Sequence, residues 1–504
     1  MKNKIIKDSK LPELRKKFKR KKIVLVHGVF DVVHRGHVEY FKEAKSKGDL
    51  LVVSITIDKH VNKGINRPYF NSEDRSKFLS EFQIIDYVVL SKNKSSINII
   101  KKLKPDFYIK GPDYKTSKND KAGNLKVEKK TVEKYGGRIF FTSGVQFSST
   151  KIINKSFDEF KKIPEFLKMN RKKNLNKEII LSEFKSCLKK VKNQKILIIG
   201  EIVIDNYLYS KPLGTPSKEN ILSVNFIKKK EFIGGSIPIL NNLSEVFKNI
   251  TFVSLFKSKS FYKKIKKSYS NKAKLHLIYD KNFKEIKKNR YIDINNNRKF
   301  FEFYDFYNKE FYNQKLLNFL KKETKKFDKV IVCDFGHGMI TDQVVKILEN
   351  NSKFLCINVQ TNSGNRGYNL FTKFSKADLL VLDEPEIRLG LSYRYKSFEK
   401  IIYDKKLNNY KNLMVTLGVK GLALRLNKEK NFLYYPAFSS VAIDTLGAGD
   451  AAYSYSSMFI DKTKNNNLIG FLSSIAGGIK TKILGHSKFI NLDLVKNSLE
   501  NLLK

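Results

Sequence analysis

Two clusters of residues in this chain have types and spacings suited to phosphate chemistry. The first is His27-Gly28-Val29-Phe30-Asp31-Val32-Val33-His34-Arg35-Gly36-His37, which follows the apolar run Ile23-Val24-Leu25-Val26. That run reads as a buried strand. A strand, a glycine turn and then a helix leave backbone N–H groups bare at the helix N-terminus, and such a terminus binds anions. His34 and His37 are three apart and share one face of the first helical turn. Gly36 between them lets a phosphate approach the backbone closely. Two imidazoles aimed at one phosphate can donate hydrogen bonds to the charge that develops in phosphoryl or nucleotidyl transfer. A bare pair of histidines at this spacing also fits a metal site or an ordinary helix surface.

The second cluster is Asp444-Thr445-Leu446-Gly447-Ala448-Gly449-Asp450-Ala451. An apolar run ends at Ile443, and the small residues Gly447, Ala448 and Gly449 turn into a helix that starts near Ala451. This turn bares N–H groups toward an anion and forms a hole for a transferred phosphoryl group. Asp450 stands at its mouth, where a carboxylate can take the proton from an attacking hydroxyl. A glycine-rich turn that binds nothing is the plain alternative for any short pattern of this kind.

The elements that must position these clusters fall into three stretches. Residues 1–155 alternate strands and helices, with strands expected at Ile23–Val26, Leu50–Ile57, Ile84–Leu90, Phe107–Lys110 and Arg138–Thr142. That alternation implies a parallel sheet with crossover helices. Residues 156–194, rich in Lys, Glu and Asn, read as a helical linker with one amphipathic helix at Leu181–Val191. Residues 195–504 alternate again, with buried strands expected at Ile196–Ile199, Val330–Cys333, Phe354–Val359, Leu379–Leu382 and Leu413–Thr416. Leu222–Phe232 and Arg290–Phe303 read as hairpins exposed on one face, the latter with an Asn-rich turn at Asn295–Asn297. The expected fold class is therefore α/β, with a small β lid in the C-terminal part.

Composition narrows the class further. The chain has 504 residues, 41% hydrophobic and 29% charged, which is ordinary for soluble globular domains and long enough for two or three cores. No apolar run approaches the roughly 18 residues of a membrane span. The lysine-rich N-terminus lacks the apolar core of a secretory signal. Three cysteines, Cys187, Cys333 and Cys356, are too scattered for a disulfide framework or a zinc site, which fits a reducing cytoplasm. The formal net charge of +50 comes mostly from lysines spread over the whole chain, with abundant Asn and Ile, as in proteins from AT-rich genomes. A nucleic-acid partner ranks last because no clustered basic and aromatic motif accompanies the charge. A positive field also speeds encounters with anionic substrates.

In its strand-turn-helix context the first cluster resembles the HxGH cytidylyltransferase superfamily. It is most similar to the nucleotidylyltransferase half of the bifunctional heptose kinase/transferases of lipopolysaccharide-core synthesis, and to glycerol-phosphate cytidylyltransferases. Thr56-Ile57-Asp58, Lys63-Gly64 with Arg67-Pro68, Glu73 with Arg75, Ile109 to Tyr114, and Phe147 to Ile153 follow that family's pattern in order. The resemblance implies a Rossmann-like domain with His34, His37 and Lys63 as catalytic groups. It implies nucleotide and phosphate contacts from Gly28, Phe30, Asp31, Gly36, Arg75, Lys110, Ser148, Ser149 and Thr150. The last three can cap a helix and offer hydroxyls and N–H groups to a triphosphate, though by themselves they read as a simple N-cap. Lys110 by itself reads as a solvated lysine.

The second cluster resembles the second signature of the PfkB/ribokinase family. Gly200-Glu201 with Asp205, Gly234-Gly235, Lys288-Asn289-Arg290, Asp383 with Glu386, Thr416 with Gly418 and Gly421, and Ala476-Gly477 to Gly485 follow it across the third stretch. The resemblance implies a ribokinase-like α/β/α sandwich with Asp450 as catalytic base. It implies nucleotide contacts from Asp383, Glu386, Thr416, Gly418, Gly421, Gly447, Ala448 and Gly449. Sugar contacts would come from Asp205, Gly234, Gly235 and Arg290, with Glu386 holding Mg²⁺ indirectly. Pro238, Asp383, His337 and the run Asn358 to Asn362 depart from the family pattern, and the domain order is the reverse of the heptose enzyme. The implied function is a cytoplasmic, Mg²⁺-dependent, bifunctional sugar-activating enzyme. It would use CTP or ATP for nucleotidyl transfer to a sugar 1-phosphate, and ATP to phosphorylate a sugar or sugar phosphate. A transferase with a ligand-binding but degenerate kinase domain is the enzyme-class alternative. A homo-oligomer is compatible with the sequence, and a membrane partner is not expected.

Overall fold

The structure is a computed structural model that describes residues 4–61, 67–93, 95–111, 124–142, 177–216, 218–295, 298–306, 309–429, 431–439, 442–463 and 465–503. It divides into two compact units, Met1–Phe160 and Lys161–Lys504.

Among the described residues the N-terminal unit has six strands: β1 (Ile5–Ile6), β2 (Ile23–Gly28), β3 (Leu50–Thr56), β4 (Tyr87–Ser91), β5 (Phe107–Lys110) and β6 (Arg138–Phe141). They form one sheet in the order β1-β4-β3-β2-β5-β6, and every pairing is parallel. A parallel sheet covered on both faces needs strands that are apolar throughout. All seven residues of β3 are buried, and so are the first four of β2. Along β2 the side chains alternate between two cores: Ile23 and Leu25 join one apolar cluster, Val24 and Val26 the other. The chain runs outward from β2 to β3 and β4, then returns to the other side of β2 for β5 and β6. Ligand crevices in such sheets form outside the strand C-termini where the order reverses. Here that point is the end of β2, at His27-Gly28.

The first described element of the C-terminal unit is a helix at Lys177–Val191. The expected linker helix thus begins four residues before Leu181, and it is no free spacer. Its Ile180, Phe184, Cys187 and Val191 are buried, and the Phe184 ring packs edge-on against Phe459 at 5.8 Å. The strands that follow are β7 (Lys195–Gly200), β8 (Ile202–Gly214), β9 (Ser223–Gly235), β10 (Asn249–Phe256), β11 (Lys274–Tyr279), β12 (Ile286–Asp293), β13 (Lys299–Asp305), β14 (Lys329–Asp334), β15 (Leu355–Val359), β16 (Ala377–Asp383), β17 (Tyr410–Thr416), β18 (Leu422–Arg425) and β19 (Leu433–Tyr435). Nine of them make a sheet ordered β11-β10-β7-β14-β15-β16-β17-β18-β19, parallel as far as β17 and antiparallel beyond. The other four form a lid sheet, β13-β12-β8-β9.

The lid corrects one expectation. Leu222–Phe232 is not a hairpin; it lies almost wholly within the single strand β9, paired antiparallel with β8. β8 carries Tyr207 and Tyr209 on a buried face with Ile292, and this small core ties the sheet together. β12 and β13 do form the expected antiparallel pair, although Asn296 and Asn297 of its turn lie outside the described residues. β1, β8, β10, β11, β18 and β19 were not anticipated. No helix among the described residues is long and apolar enough to cross a membrane.

Candidate active sites

At the end of β2, His34 is the N-cap of the helix Arg35–Lys45, and its carbonyl accepts from the N–H groups of His37 (2.8 Å) and Val38 (3.3 Å). The rings of His34 and His37 stack with centroids 4.0 Å apart and 20° between planes. Desolvation lowers the His34 pKa, which favours the neutral imidazole. Phe30 supports this pair from below. It adopts a left-handed backbone (φ +47°), is buried, and meets the His37 ring edge-on at 5.6 Å. Gly28 makes room for it: a Cβ there would lie 2.9 Å from the Phe30 ring. Gly36 sits in the first turn of the helix, where N–H groups lack intrahelical partners. Lys63, Ser148, Ser149 and Thr150, and with them Pro112 to Tyr114, lie outside the described residues.

Three expected phosphate ligands are engaged in other work. The buried Asp31 carboxylate pairs with Arg67 (2.9 Å) and accepts from the N–H groups of Tyr69 (2.8 Å) and Phe70 (3.0 Å). It fixes the 67–70 loop, and a carboxylate so placed repels rather than binds phosphate. Arg75 is buried with its guanidinium on the carbonyls of Phe70 (2.9 Å), Thr56 (3.0 Å) and Val29 and on Asp58 (2.6 Å). Four of its five N–H directions are thereby taken. Lys110 is no solvated lysine; it is buried and paired with Glu128 (2.9 Å), which also accepts from Ser96 Oγ (2.6 Å). Burial alone would lower the Lys110 pKa, but Tyr108 and Glu128 outweigh it and hold the lysine charged. Asp31 and Arg75 tie the 67–70 loop and the turn at Val29, Lys110 ties β5 to the helix Asn124–Lys134, and sequence spacing gave no sign of their partners.

In the C-terminal unit a cavity of about 710 Å³ collects residues from far apart in the chain. Its walls include Asp205, Gly235 and Arg290 from the lid side, Asp383, Glu386, Thr416, Gly418 and Gly421 from the sheet ends, and the turn Gly447-Ala448-Gly449 with Asp450. That volume suits a small-molecule ligand. Asp205 pairs with Arg290, which also reaches Glu302 (2.8 Å), and His486 stands 3.7 Å from its second oxygen. Gly234 is a spacing residue rather than a wall: a Cβ on it would strike the Asp205 carboxylate and lie 3.1 Å from His486 Nε2. Gly421 (φ +104°) lets the strand connection pass against Tyr435 to Ala437, while Gly418 (φ +58°) opens freely. Pro238 lies in the first turn of the helix Ser236–Ser244, where proline is tolerated. His337 is buried against Phe306 at 4.8 Å, and burial pushes its pKa down to about 3.

Asp450 lies in the first turn of the helix Ala448–Phe459, whose N-cap Gly447 is left-handed (φ +78°). Burial raises the Asp450 pKa to about 6, opposed by a hydrogen bond donated from the Gln360 amide at 2.6 Å. Asp383 and Glu386 form a reciprocal capping box, and Glu386 also accepts from Thr361 N–H (3.0 Å). Burial pushes the Glu386 pKa up to about 8, with the Asp383 charge second. Two hard oxygen donors on one cavity wall fit a Mg²⁺ ion that also rests on nucleotide phosphates. Among the described residues no group of three or more His, Cys, Asp or Glu side chains could hold a metal alone. His486, which also lines this cavity, carried no local motif signal.

Each unit of this α/β chain thus carries one candidate site. Residues 25–155 match the family described as cytidylyltransferase-like. The bifunctional protein HldE of Campylobacter fetus is 37% identical over 137 residues, 27% of this chain and 28% of that protein. HldE of Geobacter metallireducens is 39% identical over 142 residues, 28% of each. The chain thus spans little more than a quarter of the length of these curated relatives. Among solved structures, the ribokinase of Giardia lamblia aligns with 60% of this chain and 99% of its own, at 17% identity and TM-score 0.49. Escherichia coli phosphofructokinase-2 aligns with 61% and 99%, at 10% identity and TM-score 0.48.

Proposed function

We propose that the chain is a bifunctional sugar-activating enzyme, with a nucleotidylyltransferase in the N-terminal unit and an ATP-dependent sugar kinase in the C-terminal unit. In the first reaction an oxygen of a sugar 1-phosphate attacks the α-phosphorus of CTP or ATP in line. The new P–O bond forms as the bond to the β-phosphate oxygen breaks, and pyrophosphate leaves. His34 and His37 donate hydrogen bonds to the charge that builds on the phosphate oxygens, beside the N–H groups of their helix. Lys63 and Ser148 to Thr150 would hold the triphosphate. In the second reaction Asp450 takes the proton of a sugar hydroxyl as its oxygen bonds to the γ-phosphorus of ATP and ADP leaves. The turn Gly447 to Gly449 holds the transferred group, and Asp205 orients the sugar. Mg²⁺, held by Asp383 and Glu386 through the nucleotide, would neutralise phosphate charge. A heptose-like sugar phosphate is the substrate class that the N-terminal resemblance favours.

The single observation that carries this reading is that Asp205, Thr416, the Gly447 turn and Asp450 line one cavity. A cavity lined in this way supports phosphoryl transfer with Asp450 as the base. One feature favours the alternative of a kinase unit that binds without turnover: Arg290 already occupies the Asp205 carboxylate. The test is pyrophosphate release from the whole chain with Mg²⁺, CTP or ATP, and a panel of sugar 1-phosphates that includes heptoses. Release is expected with one sugar phosphate, falling about 100- to 10,000-fold in the His34→Ala/His37→Ala chain. Release that survives both substitutions would remove the histidines from the mechanism. ADP release from ATP with the same sugars decides between turnover and binding in the second unit.

A further inference from the structure

Lys480 is the last residue of the helix Asn466–Lys480 and is only 4% exposed. Its Nζ lies 2.7 Å from the carbonyl oxygen of Leu446, 2.7 Å from that of Gly485 and 3.5 Å from that of Ile483. Its partners are therefore backbone carbonyls from two segments, and it makes no ion pair among the described residues. An ammonium this deep in a fold is unfavourable unless its surroundings are arranged for it. Burial does lower its pKa, and the more distant carboxylates of Asp444, Asp450 and Asp205 oppose that fall.

The two segments it joins are the turn that leads into Gly447 and the loop at residues 483–485. Asp444 joins the same segments through their N–H groups. Its carboxylate accepts from Leu446 N–H (3.1 Å) and Gly485 N–H (2.9 Å), and from the Tyr207 hydroxyl (2.7 Å). The carboxylate takes the donors and the ammonium takes the acceptors. The peptide between Leu446 and Gly447 is planar and trans, so its C=O and N–H point in opposite directions. With the Leu446 carbonyl held on Nζ, the Gly447 N–H aims away from Lys480. Gly447 lines the cavity, and a Cβ on it would come within 3.1 Å of Lys480 Cε.

We infer that Lys480 is a positioning residue for phosphoryl transfer: a tethered cation, caged by carbonyl oxygens, that sets the orientation of the anion-binding turn at Gly447 and places positive charge beneath it. This rests on the kinase reading of the C-terminal unit. Nothing in it requires Lys480 to touch substrate.

The experiment measures ADP release from ATP and Mg²⁺ in choline buffer, with whichever sugar or sugar phosphate supports the fastest rate that depends on Asp450. Lys480→Ala is expected to lower kcat roughly 100-fold, as loss of one preorganised electrostatic element does, with a smaller change in KM for ATP. Because alanine leaves an empty carbonyl cage, ammonium or methylammonium chloride is expected to restore much of the rate. Lys480→Met fills the space without charge, and is expected to be slow and not rescued. Histidine-dependent pyrophosphate release by the N-terminal unit serves as an internal control in each chain. Wild-type turnover in Lys480→Met, or a slow Lys480→Ala that no amine restores, overturns the cation role and leaves the kinase reading standing. If Lys480→Ala fails to fold, Lys480→Met carries the test, with a slow rate and unchanged thermal midpoint as the supporting result. No Asp450-dependent turnover in the unaltered chain overturns the kinase reading and this inference with it.

Discussion

The crevice at the end of β2 and the cavity around Asp450, both proposed to take phosphate anions, differ in where their charged side chains lie. At the first, three charged side chains of the motif segments are held in internal pairs among the described residues: Asp31 with Arg67, Arg75 with Asp58, Lys110 with Glu128. At the helix start stand two stacked imidazoles, Arg35 and backbone N–H groups. At the second, Asp205, Arg290, Asp383, Glu386 and Asp450 all line the cavity itself. The difference teaches that a motif residue can serve a site by holding its loops rather than by touching its ligand. The first site lies at the strand ends of one six-stranded sheet, with ion pairs holding its described loops. The second is walled by a nine-stranded sheet and a lid, so its charged groups can face inward.

The largest effect that would break this comparison is expected from Asp450→Asn. The substitution keeps the shape and the hydrogen bond to Gln360 in altered form, and removes the base. ADP release is expected to fall by about 1,000- to 10,000-fold, while pyrophosphate release by the N-terminal unit stays unchanged. Both can be measured on one preparation. Unchanged ADP release would mean that the cavity's inward-facing carboxylate does no chemistry.

The next effect tests the locked pairs of the first site. Glu128→Gln leaves the Lys110 charge buried without its counter-charge, and is expected to destabilise the N-terminal unit by about 3–5 kcal/mol. The Glu128 pKa is raised by burial, but Lys110 and the hydrogen bonds from Ser96 and Lys110 outweigh that and hold it below its ordinary value. Its contribution is therefore present above the unfolded-state pKa near about 4.3 and is lost as pH falls through the lower folded value. Urea unfolding at pH 7, followed by a probe in residues 1–160, measures the loss. If Lys110 instead served the nucleotide, Lys110→Met would raise KM for the triphosphate with little change in the urea midpoint.

Much of this was legible because buried parallel strands are short apolar runs. β2, β5 and β7 begin or end within a residue or two of the runs that announce them. The site motifs were legible because glycine turns and helix starts are local features. Partnership was not. Nothing near Asp31 in sequence says that the 67–70 loop will fold over it, and nothing near Lys110 says that Glu128 will meet it from a helix. Burial of a charged side chain follows from tertiary packing, which spacing does not encode. The single long β9 was missed although Gly214-Thr215-Pro216 marks the turn before it. Lys480 looked like one lysine among many, since a cage of carbonyl oxygens depends on two loops that meet only in the fold.

The smallest expected effect is the most specific to the second site. Burial raises Asp450 to about 6, and the Gln360 amide opposes that rise by donating to its charged form. A base must be ionised, so kcat/KM for the kinase reaction is expected to rise with pH through about 6 and level off above it. Gln360→Leu removes the donor and leaves burial less opposed. The acid limb should then move to higher pH, by roughly half a unit to one unit, which is about 0.7–1.4 kcal/mol of lost preference for the carboxylate. Above pH 8 the variant should approach the unaltered chain, because both bases are ionised there. A uniform loss at every pH would instead assign Gln360 to substrate contact, and the inward-facing charge of this site would then be tuned by burial alone.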